Sequence, residues 1–189
     1  MNAPRWQLTT AHLKAFLALS VIGLALSLIA HTVALLGLPQ PLGPLTWALH
    51  GGIFAVWLPA VIVCKRLVVG FPRKDFWRAA LRGCPAWMRW TTFVVFGYAV
   101  VNFLLFIKAA PPRGAGAPVN EALEIRGFSG HWMAFYSAAA AILYSAIAIA
   151  KSDPNQRLPN GRPLPPSMES RDSPGTAAAE TTDWAAERR

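Results

Sequence analysis

The chain has 189 residues, of which 54% are hydrophobic and only 14% charged, well below the quarter usual for soluble domains. Lys and Arg outnumber Asp and Glu by 18 to 9. In a soluble protein that excess would point to nucleic acid. Here the basic residues border apolar runs and act as an orientation signal, so no nucleic-acid partner is expected.

Four apolar runs read Leu13–Leu36, Leu45–Val63, Trp90–Ile107 and His131–Ala150. Crossing about 30 Å of hydrocarbon takes roughly 20 apolar residues as helix, and only a helix satisfies its own backbone within one such segment. The expected fold is an all-α membrane protein. Its four transmembrane helices form a bundle over residues 1–151, with a polar tail over 152–189. The first run is longer than a signal-peptide core and no small-x-small cleavage site follows it, so it is expected to remain as an anchor. Arg exceeds Lys by 13 to 5, and Ala, Pro and Trp are abundant. That usage suits a bacterial genome rich in G and C.

The segment before helix one carries Arg5, and Lys14 and a lone His12 stand at its border. The first loop, Gly37–Pro44, carries no Lys or Arg and is rich in Pro and Gly. It reads as a tight turn that makes helices one and two antiparallel neighbours. The second loop and its borders hold Lys65, Arg66, Arg73, Lys74, Arg78, Arg82 and Arg89. Within Phe71–Trp90, Pro72 can start a helix, and Phe76, Trp77, Ala80, Leu81 and Cys84 recur at helical spacing opposite Lys74, Arg78 and Arg82. That pattern predicts a basic amphipathic helix on anionic lipid headgroups, ended by Pro85; a dock for a partner is the alternative. The third loop carries Lys108, Arg113 and Arg126, offset by Glu121 and Glu124.

The positive-inside rule then places both termini and the second loop in the cytoplasm, with the first and third loops outside a bacterial inner membrane. Trp47 and Trp132 fall at the outer interface, Trp87 and Trp90 at the inner one. Cys64 and Cys84 face a reducing compartment and have no histidine beside them, which predicts unpaired thiols and no zinc site. From Ser152 the sequence turns polar and Pro-rich, as in disordered tails. Thr181–Arg189, with Trp184, could form a short helix on a partner.

Each helix offers one polar side chain toward the outer side. His31, His50 and Asn102 lie about five residues from the outer ends of helices one, two and three, roughly 7–8 Å deep. His131 opens helix four and is shallower, unless that helix starts earlier, near Arg126. The expected faces are Ser20, Ser27, His31 and Ala34 on helix one, with Gly23 beside them; His50, Phe54, Trp57, Val61 and Cys64 on helix two; Val94, Tyr98, Asn102 and Leu105 on helix three; and His131, Phe135, Ala138, Ile142 and Ser145 on helix four. Polar groups inside a membrane face neighbouring helices and mark function by default. Three uses are open. The set could simply hydrogen-bond between helices. It could bind a cofactor: two imidazoles hold a b-type haem, with Arg126 or Arg113 on its propionates, or His31, His50 and His131 ligate a divalent metal, with Asn102 nearby. It could handle a proton or a quinone through one histidine with Glu124 or Tyr98.

Helix count and histidines resemble the small four-helix b-type cytochromes, which place paired histidines at two depths. This chain has a single level, and none of their residues is carried over. The segment Arg126–Tyr136, with glycines, Ser129 and His131 together, looks like a motif; as a plain helix entry it would use Ser129 as N-cap and Trp132 and Tyr136 as interfacial anchors. No nucleophile elbow, phosphate loop or metalloprotease motif occurs, and no charged residue lies deep in a helix. The expected role is a non-catalytic membrane subunit or accessory protein, with a haem- or metal-binding redox protein as the alternative and a transporter third.

Overall fold

Thr9 opens the first helix. Its backbone is extended, and its hydroxyl accepts from the His12 amide, one of the donors a helix start leaves unpaired. From there α1 runs over Thr10–Leu35. It ends where Gly37 takes a φ of +65°, which only glycine adopts freely. The Leu38 amide donates to the Val33 carbonyl and the Gly37 amide to Ala34, the paired bonds of a Schellman close. A short 3-10 turn, Gly43–Trp47, leads into α2, Ala48–Leu67. Then come α3 over Phe76–Ala80, α4 over Ala86–Ala109 and α5 over Glu121–Ser152.

These elements belong to a computed structural model that describes residues 9–109 and 121–152; no strand occurs among them. Arg5, Arg113, the rest of the third loop and the tail after Ser152 lie outside the described residues. Helices α1, α4, α5 and the stretch Gly43–Leu67 are long and apolar enough to cross a membrane, as the four runs require. The chain reads as a multi-pass membrane protein.

Helix α5 is the axis of the fold. It packs along α1, α4 and α2, and α1 also packs on α2. Its alanine-rich centre is buried nearly all round, from Trp132 to Leu143. Helix α4 is the opposite case: only Thr92, Ala99 and Asn102 are buried. Its remaining apolar surface needs lipid or a partner helix around it.

The second loop departs from expectation. The amphipathic helix is short, only Phe76–Ala80, preceded by a 3-10 turn at Arg73–Asp75. Leu81–Cys84 form a turn that folds back on α5: the Gly83 amide donates to Ser145 Oγ at 3.0 Å and the Cys84 thiol to the Ala141 carbonyl at 3.0 Å. Any side chain at Gly83 would strike Ser145, since a Cβ there would lie 2.5 Å from its carbonyl oxygen. Arg82 does not join the outward cations. It donates to the Leu67 carbonyl at 2.6 Å and to Ala79 at 3.1 Å, and its guanidinium lies 5.2 Å from the centre of the Phe71 ring. It thereby satisfies a free carbonyl at the end of α2. Lys74 and Arg78 remain exposed. Both thiols are free and buried, and burial pushes Cys84 up to about 11.

Candidate functional site

Helix α5 starts ten residues before the apolar run it contains, at Glu121 rather than His131. The stretch Arg126–Tyr136 is therefore not a helix entry but a row of docking positions inside a long helix. Gly127 lies under Phe106, whose ring atoms would be 2.5–3.0 Å from a Cβ there. Gly130 lies under Asn102, whose Nδ2 would be 2.6 Å from one. The two glycines let α4 approach, and Asn102 completes the contact: Nδ2 donates to the Arg126 carbonyl at 2.8 Å and to Gly127 at 3.3 Å.

Ser129 is not an N-cap either. Its hydroxyl donates to the Arg126 carbonyl at 3.3 Å, and His31 Nδ1 lies 2.7 Å from the same oxygen. His31 Nε2 pairs with the Tyr98 hydroxyl. His31 bonds Ser129 through Nδ1 and Tyr98 through Nε2, and a neutral imidazole donates from one of these nitrogens and accepts at the other. Tyr98, His31, Ser129 and the Arg126 carbonyl thus form one row that joins α4, α1 and α5.

His50 and His131 meet on the other side of α5. Their ring centres are 5.3 Å apart and nearly perpendicular. Phe128, Trp132 and Phe135 border the pair, and Trp47 packs edge-on against Phe128 and Trp132. The Trp132 indole donates to His50 Nδ1 at 3.0 Å. An indole N–H can only donate, so His50 Nδ1 is the bare nitrogen and the His50 proton is on Nε2. Trp132 is fully buried, and the Tyr136 hydroxyl donates to the Leu49 carbonyl at 2.9 Å. Neither is the interfacial anchor their positions suggested. Tyr136 instead threads between α1 and α2, passing Gly23 and Gly52.

The outer polar residues thus converge on α5, but as two groups rather than one. His31, Asn102 and the Arg126 backbone form one; His50 and His131 form the other. His31, His50 and His131 do not gather as a three-histidine set, and among the described residues no group of three or more His, Cys, Asp or Glu could hold a metal ion. A neutral imidazole has one bare nitrogen with which to ligate a metal. In His50 that nitrogen accepts from the Trp132 indole, and in His31 both ring nitrogens are already paired, with Ser129 and with Tyr98. Ligation by either would leave a donor unpaired. Sequence reasoning placed Tyr98 beside a histidine only as one of two partners for proton handling and did not foresee the indole–His50 bond. Comparisons with protein-family models, curated proteins and solved structures find no match.

Proposed function

We propose that this chain is a non-catalytic membrane subunit or accessory protein of a bacterial inner membrane. It would be a four-helix bundle with both termini and the second loop in the cytoplasm. The observation that carries the reading is the engagement of its histidines: both ring nitrogens of His31 and the bare nitrogen of His50 are paired with the chain's own side chains. Polar groups used in this way hold helices together and leave little with which to do chemistry. Two further features support it. Helix α4 offers a broad apolar face for lipid or a membrane partner, and the exposed Arg73, Lys74 and Arg78 suit anionic headgroups on the cytoplasmic side.

The contact between His50 and His131 favours a second reading, a haem or divalent metal held by imidazoles. It requires His50 to give up its bond from Trp132. An absorption spectrum and metal analysis of the purified protein separate the two. The accessory reading expects a colourless protein without stoichiometric metal. A Soret band, or one metal per chain that disappears in His50→Ala, would overturn it. Reporter fusions after Ala150 and within residues 71–89 are expected to be active in the cytoplasm, and an external signal from the second loop would overturn the orientation.

A further inference from the structure

From Gly127 to Leu143, α5 is buried at every position except Phe128, His131 and Phe135. Their spacing puts these three on one stripe of the helix. The stripe continues through Glu124 and Glu121 at the helix start. On one side of it stands α2: His50 packs edge-on against Phe128 and His131, and Trp57 against Phe135 with ring centres 4.9 Å apart. On the other side Phe106 of α4 meets Phe128. Helices α2 and α4 both pack on α5 but make no extensive contact with each other. The stripe is therefore the floor of a groove between them.

Two imidazoles in this groove have hydrogens to give. Trp132 donates to His50 Nδ1, so the His50 proton is on Nε2, and no described residue accepts it. His131 makes ring contacts but no hydrogen bond to a described residue. Among the described residues, the sealed and unpaired side-chain atoms are Ser27 Oγ, Gln40 Oε1 and Thr46 Oγ1. The histidine nitrogens are not among them and stay open to whatever fills the groove. An N–H facing lipid without an acceptor is costly. His131 lies seven residues below Glu124, about 10 Å along the helix. The headgroup layer is about 5–8 Å thick in each leaflet, so this distance reaches from the headgroups to the ester carbonyls, the bilayer's own acceptors. In descending order the groove offers carboxylates, N–H donors and aromatic surface. They match an ammonium, an ester carbonyl and an acyl chain.

We propose that the groove between α2 and α4 holds one phospholipid of the ethanolamine type, in the leaflet at the Glu121 end of α5. Its ammonium pairs with Glu124 and Glu121, an ester carbonyl accepts from His50 Nε2, and an acyl chain lies over Phe135, Trp57 and Phe54. A phospholipid with a glycerol headgroup is a net anion and meets the same carboxylates as a like charge. The site is independent of the accessory role and of the orientation of the bundle.

The test is native mass spectrometry of the full chain in detergent, titrated with three phospholipids of identical chains: an ethanolamine diester, a glycerol diester and an ethanolamine diether. One ethanolamine diester is expected to bind per chain, at least about threefold more tightly than the glycerol lipid. The diether keeps the headgroup and lacks the ester carbonyls. It should bind about three- to tenfold more weakly than the diester, the effect of one hydrogen bond. Glu121→Gln with Glu124→Gln should abolish the preference for ethanolamine over glycerol. Asp75→Asn, in the second loop at the opposite end of α2, should leave it intact. Equal binding of the ethanolamine and glycerol lipids, a preference that survives the double change, or a diether bound as tightly as the diester would overturn the proposal. A dimer that forms without lipid and excludes it would seat a second chain in the groove and overturn it as well. The three lipids are compared on the unaltered chain, so they decide even if the double variant fails to fold.

Discussion

Tyr136 gives the fold its sharpest mechanical test. Its ring passes Gly23 of α1, where a Cβ would fall 2.3, 2.5 and 2.6 Å from three ring carbons. Carbons at rest lie about 3.5–4.0 Å apart, so Gly23→Ala forces the ring back by about 1 Å. The ring has no free direction. Its hydroxyl is tied to the Leu49 carbonyl at 2.9 Å, and that oxygen would lie 2.4 Å from a Cβ at Gly52. Overpacking costs about 1–3 kcal/mol, and losing the Leu49 bond adds about 1 kcal/mol. Gly23→Ala is therefore expected to destabilise by about 2–4 kcal/mol. The same change at Gly51 or Gly97, where nothing lies within 4 Å, should be neutral or stabilise by up to about 1 kcal/mol through helix propensity. Unfolding by SDS in mixed micelles, followed by circular dichroism, measures all three. Placing Gly23→Ala in a Tyr136→Leu background removes the ring and should remove most of the cost. A penalty as large without the ring as with it would refute the packing argument.

Asn102→Ala loses the two donations to α5 and should cost about 1–2 kcal/mol in the same titration. His50→Ala strands the buried Trp132 indole and should cost about 1–3 kcal/mol; adding Trp132→Phe should recover part of it, and full additivity would contradict the bond. Burial holds the Cys84 thiol up to about 11, so the folded state keeps a proton that the unfolded chain releases near 8.5. The stability this contributes is present below that lower value and is lost as pH rises toward 11. In a Cys64→Ala background, alkylation of the folded protein should keep rising tenfold per pH unit past 9. A plateau near 8.5 would show an accessible, unshifted thiol.

The face of α1 was legible in its sequence. Ser20, Gly23, Ser27, His31 and Ala34 are all buried, because small and polar residues stand out against leucine. The face of α2 was legible only in part. Cys64 of the expected stripe is buried and His50, Trp57 and Val61 are half-buried, but Phe54 is 69% exposed, and the buried side also runs through Leu49, Ile53, Val56, Ala60 and Val63. A helix that is apolar all round carries no periodic signal for one side over the other, and the same holds for Val94 and Leu105 of α4, both exposed. The start of α5 was obscured by its own contacts. Gly127 and Gly130 look like turn residues, yet here they are the room that Phe106 and Asn102 occupy. Hydropathy counts residues one at a time; close approach depends on what the neighbouring helix brings, and a single chain of letters does not contain that. The histidines were recognisable as inward polar groups, but their division around α5 depends on a rotation of α2 that its sequence does not encode.

The central claim is that His31 and His50 are internal hydrogen-bonding groups rather than metal or haem ligands. Nitrogen NMR of the histidine-labelled protein in bilayers reads this directly. His50 should carry its proton on Nε2, and neither ring should be bound to a metal. A metal-shifted or haem-broadened resonance from either ring, or His50 protonated on Nδ1, would contradict the account.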